Sequence, residues 1–147
     1  MIYKTGDLLD SGGYVFQQVN CQFVMGKGLA LQIRSRYPEV YTEYKKLQNK
    51  DIDNASYLGT YQTVKVADKT FVNVFSQEYY GRGPLTEYPA MIKAFEQFKQ
   101  NEPDGEYNFP YLFGCGLAGG DWNIVSGIID DYFPDAVIWK LPSVYGT

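Results

Sequence analysis

The chain of 147 residues predicts an α/β domain with a mixed sheet covered by helices on both sides. Short apolar or alternating runs of strand length recur along it, and between several of them the apolar residues switch to helical spacing. One pair of runs is joined by a link too short for a crossover, which makes the sheet mixed rather than all parallel.

Ile2 to Thr5 forms the first strand and Tyr14 to Val19 the second. A helix runs from about Leu29 through Ile33 and is interrupted near Pro38, which restarts it as a first residue, where its missing N–H costs nothing; this second piece reaches Leu47. Thr60 to Val66 and Thr70 to Phe75 are strands joined at Ala67-Asp68-Lys69, a hairpin. Tyr88, Met91, Ile92, Phe95 and Phe98 make one helical stripe, and Val125, Ile128, Ile129 and Tyr132 another. Asn108 to Phe113 and Ala136 to Leu141 complete the strands, with crossovers between parallel neighbours. Gly81-Arg82-Gly83-Pro84 is a loop, not a boundary, so residues 1–147 form one domain.

Composition narrows the chemistry. With 13 Lys+Arg against 17 Asp+Glu, the chain lacks the positive charge for a non-specific grip on nucleic acid. A local phosphate site stays open, because main-chain N–H groups bind anions without entering the net charge. Histidine is absent, which removes Ser-His-Asp and Cys-His activation and HExxH zinc. Two cysteines, Cys21 and Cys115, make neither an all-cysteine zinc site nor a disulfide scaffold, and without a nearby base neither is a convincing nucleophile. No apolar run approaches the roughly 20 residues that span a bilayer, and the first residues lack a signal-peptide core, so a cytoplasmic protein is expected.

Two places carry the strand, glycine-rich turn, helix order of an anion site. Cys21 to Gly28 follows the second strand and opens the helix at Leu29; Gly114 to Gly120 follows Phe113 and opens a helix near Trp122. Glycine lets a ligand approach the main chain, and the unpaired N–H groups of a helix start point at it. Gly114-x-Gly116-x-x-Gly119 matches the dinucleotide fingerprint, but the further βαβ units of that fold do not follow. Gly26-Lys27-Gly28 lacks the spacing and the Ser/Thr of a nucleotide-triphosphate loop. What remains is a pair of loops that together hold a diphosphate and a neighbouring sugar.

Each polar candidate has a structural alternative. Asp121 stands before a helix, as a cap or as a catalytic carboxylate. Asp7 is a turn carboxylate or an acceptor for the exocyclic amine of a base. Asn20 makes an Asx turn or binds ribose hydroxyls through both its donor and its acceptor. Lys27 is solvated or faces the ligand as a point charge. Tyr145, Tyr79 and Tyr80 are the aromatics claimed by no stripe, and so available to a purine face.

The run from Val19 to Ile33, the early Gly6-Asp7-Leu8 and the run from Gly114 to Trp122 together resemble an ADP-ribose-binding macro domain over nearly the whole chain. The resemblance implies a three-layer α/β/α domain with a mixed central sheet and an ADP-ribose cleft at the strand ends. It implies that Asp7, with Leu8 beside it, meets adenine. Asn20 with Gly26, Lys27, Gly28, Leu29 and Ala30 surrounds the distal ribose. Gly114, Cys115, Gly116, Leu117, Ala118, Gly119 and Gly120 wrap the diphosphate, and Gln77 and Tyr145 complete the set. The similar branch includes ADP-ribose 1''-phosphate phosphatases, terminal ADP-ribose glycohydrolases and macro antitoxins. Where the glycohydrolases use a lysine this chain has Gln77, and their acidic partner matches Ala118. Those departures favour hydrolysis of a phosphate or ester, with Asp121, Asn20 and Lys27 as catalytic residues and neither metal nor cofactor. Other readings are a non-catalytic reader of ADP-ribose or a glycohydrolase acting on ADP-ribosylated macromolecules.

Overall fold

The computed structural model describes residues 1–142. Six strands, β1 (Ile2–Thr5), β2 (Gly13–Asn20), β3 (Tyr61–Val66), β4 (Lys69–Gln77), β5 (Tyr107–Pro110) and β6 (Val137–Lys140), form one sheet in the order β1-β6-β5-β2-β4-β3. Only the β3–β4 pair is antiparallel, with Val66 opposite Lys69; Ala67 takes the left-handed φ of 54° in the turn between them. The helices are α1 (Gly28–Arg36), α2 (Pro38–Lys46), α3 (Tyr88–Asn101) and α4 (Trp122–Tyr132), and Pro38 does sit at the start of α2.

The period of two along β2 assigns its side chains to two cores. Tyr14 and Phe16 pack with Met91, Phe95 and Phe98 of α3 and with Val125, Ile128 and Ile129 of α4. Val15 and Val19 pack on the other face with Ile33 of α1 and with Val40 and Tyr44 of α2. Phe16 stacks on Phe109 with ring centroids 4.1 Å apart, so the first core is closed across adjacent strands.

The sheet's middle also carries a polar rung. Gln17 of β2, Asn73 of β4 and Gln62 of β3 are opposite one another in register. Gln17 Nε2 donates to Asn73 Oδ1 (2.7 Å), Asn73 Nδ2 to Gln62 Oε1 (3.0 Å), and Gln62 Nε2 to the carbonyl of Glu43 in α2 (3.0 Å). That carbonyl can only accept, so it sets the direction of every amide in the chain. The far end, Gln17 Oε1, is buried without a donor among the described residues.

β5 is shorter than the run Asn108 to Phe113 suggests. The chain turns at Pro110, Phe113 N–H bonds back to the Pro110 carbonyl (3.1 Å), and Leu112 is left-handed at φ 64°. Apolar character persists because Phe113 still inserts its ring into the α3/α4 core. No helix of the described residues is long and apolar enough to cross a membrane.

Candidate functional site

The C-terminal ends of the parallel strands β2, β4 and β5 open into a cleft of about 550 Å3, the edge at which open α/β sheets place ligands. Its wall on one side is Val24 to Ala30, which leads into α1. On the other it is Gly114 and Gly116 to Ala118 after β5, and Tyr80, Gly81 and Arg82 after β4 close the mouth.

Both expected loops present unpaired main-chain donors. The N–H groups of Gly28, Leu29 and Ala30 open α1 with no acceptor among the described residues, and no side chain caps that helix. After β5, Cys115, Gly119 and Gly120 spend their N–H groups inside the loop, on Leu112, Gly116 and Gly114 respectively. Gly114, Gly116, Leu117 and Ala118 spend theirs on no described acceptor. Lys27 and Arg82 are exposed on the lining and make no ion pair among the described residues. Free main-chain donors and two cationic side chains thus gather around one cleft of an acidic chain.

Asn20 lies at the end of β2 and is committed to its own loop. Its Oδ1 accepts from Gln22 N–H (3.0 Å) and Val24 N–H (3.2 Å), and its Nδ2 donates to the Val24 carbonyl (2.8 Å). The Asx-turn alternative is therefore realised: the sequence expectation of a ribose contact through both donor and acceptor narrows to the donor, because Oδ1 is taken up by the loop. The loop needs this brace because Phe23 is left-handed at φ 62°, held there by burial of its ring against Tyr44, Tyr57 and Phe75.

Asp121 has the capping role. Its Oδ1 accepts from Asn123 N–H (2.8 Å) at the start of α4, and it does not line the cleft. A carboxylate aimed into its own helix is badly placed to take a proton from a bound water, which removes the geometric ground for using it as a base. Asp7 likewise caps a short 3-10 turn through Leu9 N–H (2.9 Å) and pairs with Arg36 (3.2 Å); Leu8 is buried in the α1/α2 core. Neither Asp7 nor Leu8 lines the cleft.

Gln77 lines the cleft, with Nε2 donating to the Tyr79 carbonyl (2.7 Å) and Oε1 accepting from Gln18 (2.8 Å). Gly119 and Gly120 serve backbone packing rather than the lining: a Cβ at Gly119 stands 2.5 Å from the Gly83 carbonyl, and one at Gly120 stands 2.5 Å from that of Gly114. Cys115 also stays off the lining, its thiol donating to the Phe113 carbonyl (3.3 Å). Burial first, then the negative charge of Asp121, pushes the Cys115 thiol up to about 11. Cys21, buried, is pushed up to about 12, and both cysteines are free. Among the described residues no cluster of acids and cysteines is suited to hold a metal ion. Tyr145 lies outside the described residues.

The sequence reading missed Gln18 and Arg82. Gln18 stands two residues before Asn20 on β2, lines the cleft and bonds Gln77, Thr86 (3.0 Å) and Ser76 (2.6 Å). Nothing in its spacing marks it. Arg82 was signalled by its place between two glycines, both at positive φ, but only the return of that loop puts it on the cleft lining.

This architecture is the macrodomain fold. The macrodomain of Mycobacterium tuberculosis DarG superposes with a TM-score of 0.77 at 28% identity, covering 97% of both chains. Thermosipho africanus DarTG in complex with ADP-ribose matches with a TM-score of 0.76 at 22% identity, over 93% of this chain and 40% of that one. In sequence, an uncharacterized 17.5 kDa protein from the tk-vs intergenic region of Enterobacteria phage T4 is 28% identical over 140 residues, 88% of each chain. The DNA ADP-ribosyl glycohydrolase of Mycobacterium tuberculosis is 54% identical over 46 residues, 30% of this chain and 13% of that protein. No protein-family model matches the chain.

Proposed function

We propose that the chain binds ADP-ribose and hydrolyses a derivative substituted at the 1'' position of the distal ribose, with ADP-ribose 1''-phosphate as the favoured substrate and O-acetyl-ADP-ribose as the ester counterpart. The observation that carries the reading is the pair of facing loops whose main-chain N–H groups lack acceptors, the arrangement a diphosphate satisfies. The similarity to a DarTG solved with ADP-ribose supports the same ligand.

In this reading the loop from Gly114 to Ala118 meets the diphosphate and Asn20 and the Gly26 to Ala30 segment meet the distal ribose, while Asp7, off the lining and paired with Arg36, is the acceptor left for the adenine amine and Leu8 packs behind it in the core. Lys27 and Arg82 supply charge for a terminal phosphate beyond the sugar. A water oxygen adds to phosphorus, the bond from phosphorus to the 1'' oxygen breaks, and the sugar oxygen departs with a proton that originates from the water. The chain's part is to fix both partners and to steady the developing negative charge with loop donors.

A glycohydrolase reading draws on the relative acting on ADP-ribosylated DNA. Gln77 and Ala118 stand against it, because a neutral amide bonded at both ends cannot replace a nucleophilic lysine, and a methyl cannot replace its acidic partner.

The test is calorimetry with ADP-ribose, followed by product assays on ADP-ribose 1''-phosphate, O-acetyl-ADP-ribose and an ADP-ribosylated oligonucleotide. Arg82→Gln and Lys27→Gln should each weaken the phosphorylated ligand several-fold more than ADP-ribose itself, and the difference should shrink as salt is raised. Binding without release of product from any substrate leaves a reader; absence of binding ends the proposal.

A further inference from the structure

We propose that Tyr44 is a positioning residue: from α2 it fixes the Asn20 amide so that this side chain faces the ligand as a hydrogen-bond donor only. The inference rests on the ADP-ribose reading and adds a residue remote from the cleft lining to it.

The hydroxyl of Tyr44 lies 2.6 Å from the main-chain oxygen of Asn20 and 3.2 Å from its Oδ1, so one donated hydrogen bridges backbone and side chain of the same residue. With Gln22 N–H and Val24 N–H, this brings three donors around Oδ1. On the nitrogen, one hydrogen goes to the Val24 carbonyl and one is left. Reversing the amide sets its NH2 against two main-chain N–H groups and its oxygen against a carbonyl, so the direction is fixed.

Tyr44 is itself immobilised. It is fully buried, with its ring 5.0 Å from that of Phe23 and 5.9 Å from that of Phe75. Burial raises the pKa of its phenol well above the ordinary range, which keeps the hydroxyl protonated and therefore a donor. The ligand group over Asn20 must then accept, as a hydroxyl oxygen of the distal ribose does; a group that can only donate finds no partner there.

ADP lacks the distal ribose and carries one more phosphate charge, a difference common to wild type and variant, so comparing the two proteins with both ligands by calorimetry reads this contact. In Tyr44→Phe, which keeps the ring, ADP-ribose should bind about fivefold to tenfold more weakly, the loss expected when one neutral hydrogen bond is loosened. ADP should bind as it does to the wild type. An equal loss for both ligands, or no loss for either, overturns the assignment. Failure of the wild type to bind either ligand overturns the ADP-ribose reading instead.

Should Tyr44→Phe not fold, the wild-type protein still decides by NMR. ADP-ribose should shift one of the two Asn20 Nδ2 hydrogens while ADP shifts neither; two unmoved hydrogens overturn the assignment.

Discussion

Thr86 donates its hydroxyl to the carbonyl of Gly114 at 2.6 Å, fastening the loop after β4 to the loop after β5. Gly83 N–H to Leu117 (3.1 Å), Leu85 N–H to Ala118 (2.7 Å) and Thr86 N–H to Ala118 (3.2 Å) continue the seam through carbonyls, leaving the N–H side of Leu117 and Ala118 facing away. The seam orients donors by occupying acceptors.

Gly119→Ala tests that seam. The residue has φ 73° and its new methyl meets the Gly83 carbonyl, so the variant should lose about 2 kcal/mol of stability by thermal denaturation. ADP-ribose affinity should fall with it, although Gly119 is off the lining. A variant as stable as the wild type removes the close-packing argument.

Asn73→Leu breaks the amide rung in its middle. Gln17 Nε2 and Gln62 Oε1 are then left without their partners in the interior, a change expected to cost about 3 kcal/mol in urea titrations. A loss below about 1 kcal/mol shows that the rung contributes little.

Asp121 separates cap from catalyst. Asp121→Ala should cost about 1 kcal/mol and Asp121→Asn much less, since asparagine caps as well as aspartate does. Neither should change turnover of ADP-ribose 1''-phosphate; a hundredfold fall in both variants returns Asp121 to the chemistry.

The cysteines predict a pH window. Iodoacetamide should label neither Cys21 nor Cys115 appreciably at pH 8, with Cys115 labelling first as pH approaches about 11, followed by mass spectrometry. Both thiols are raised from 9.0, so the folded state holds their protons more tightly than the unfolded one. The stability this gives is complete below the ordinary thiol value and drains as pH rises toward about 12. Rapid labelling of Cys21 at pH 8 contradicts its buried placement.

Strands and helices were legible because their apolar residues keep the period of the element they occupy, and Pro38 marks its own boundary. The end of β5 was not, since Phe113 is apolar for packing after the chain has left the strand. The two loops were legible from glycine between strand and helix. Which residues of those loops meet the cleft was not, because Gly119 and Gly120 answer to carbonyls across the fold. Polar side chains proved hardest: Asn20, Asp7 and Asp121 have the chemistry of ligand contacts, yet each brings that chemistry to bear on its own backbone.

The donors from Gly114 to Ala118 belong to the peptide skeleton, so no exchange of one non-proline side chain for another deletes them. In the proposed reading, the groups that meet the constant part of the ligand can be displaced by a substitution but not deleted by one, while Leu117, Gln77, Lys27 and Arg82 around them remain replaceable. On that reading, such a framework can acquire a new leaving group by altering its rim while the donors for the nucleotide stay in the chain.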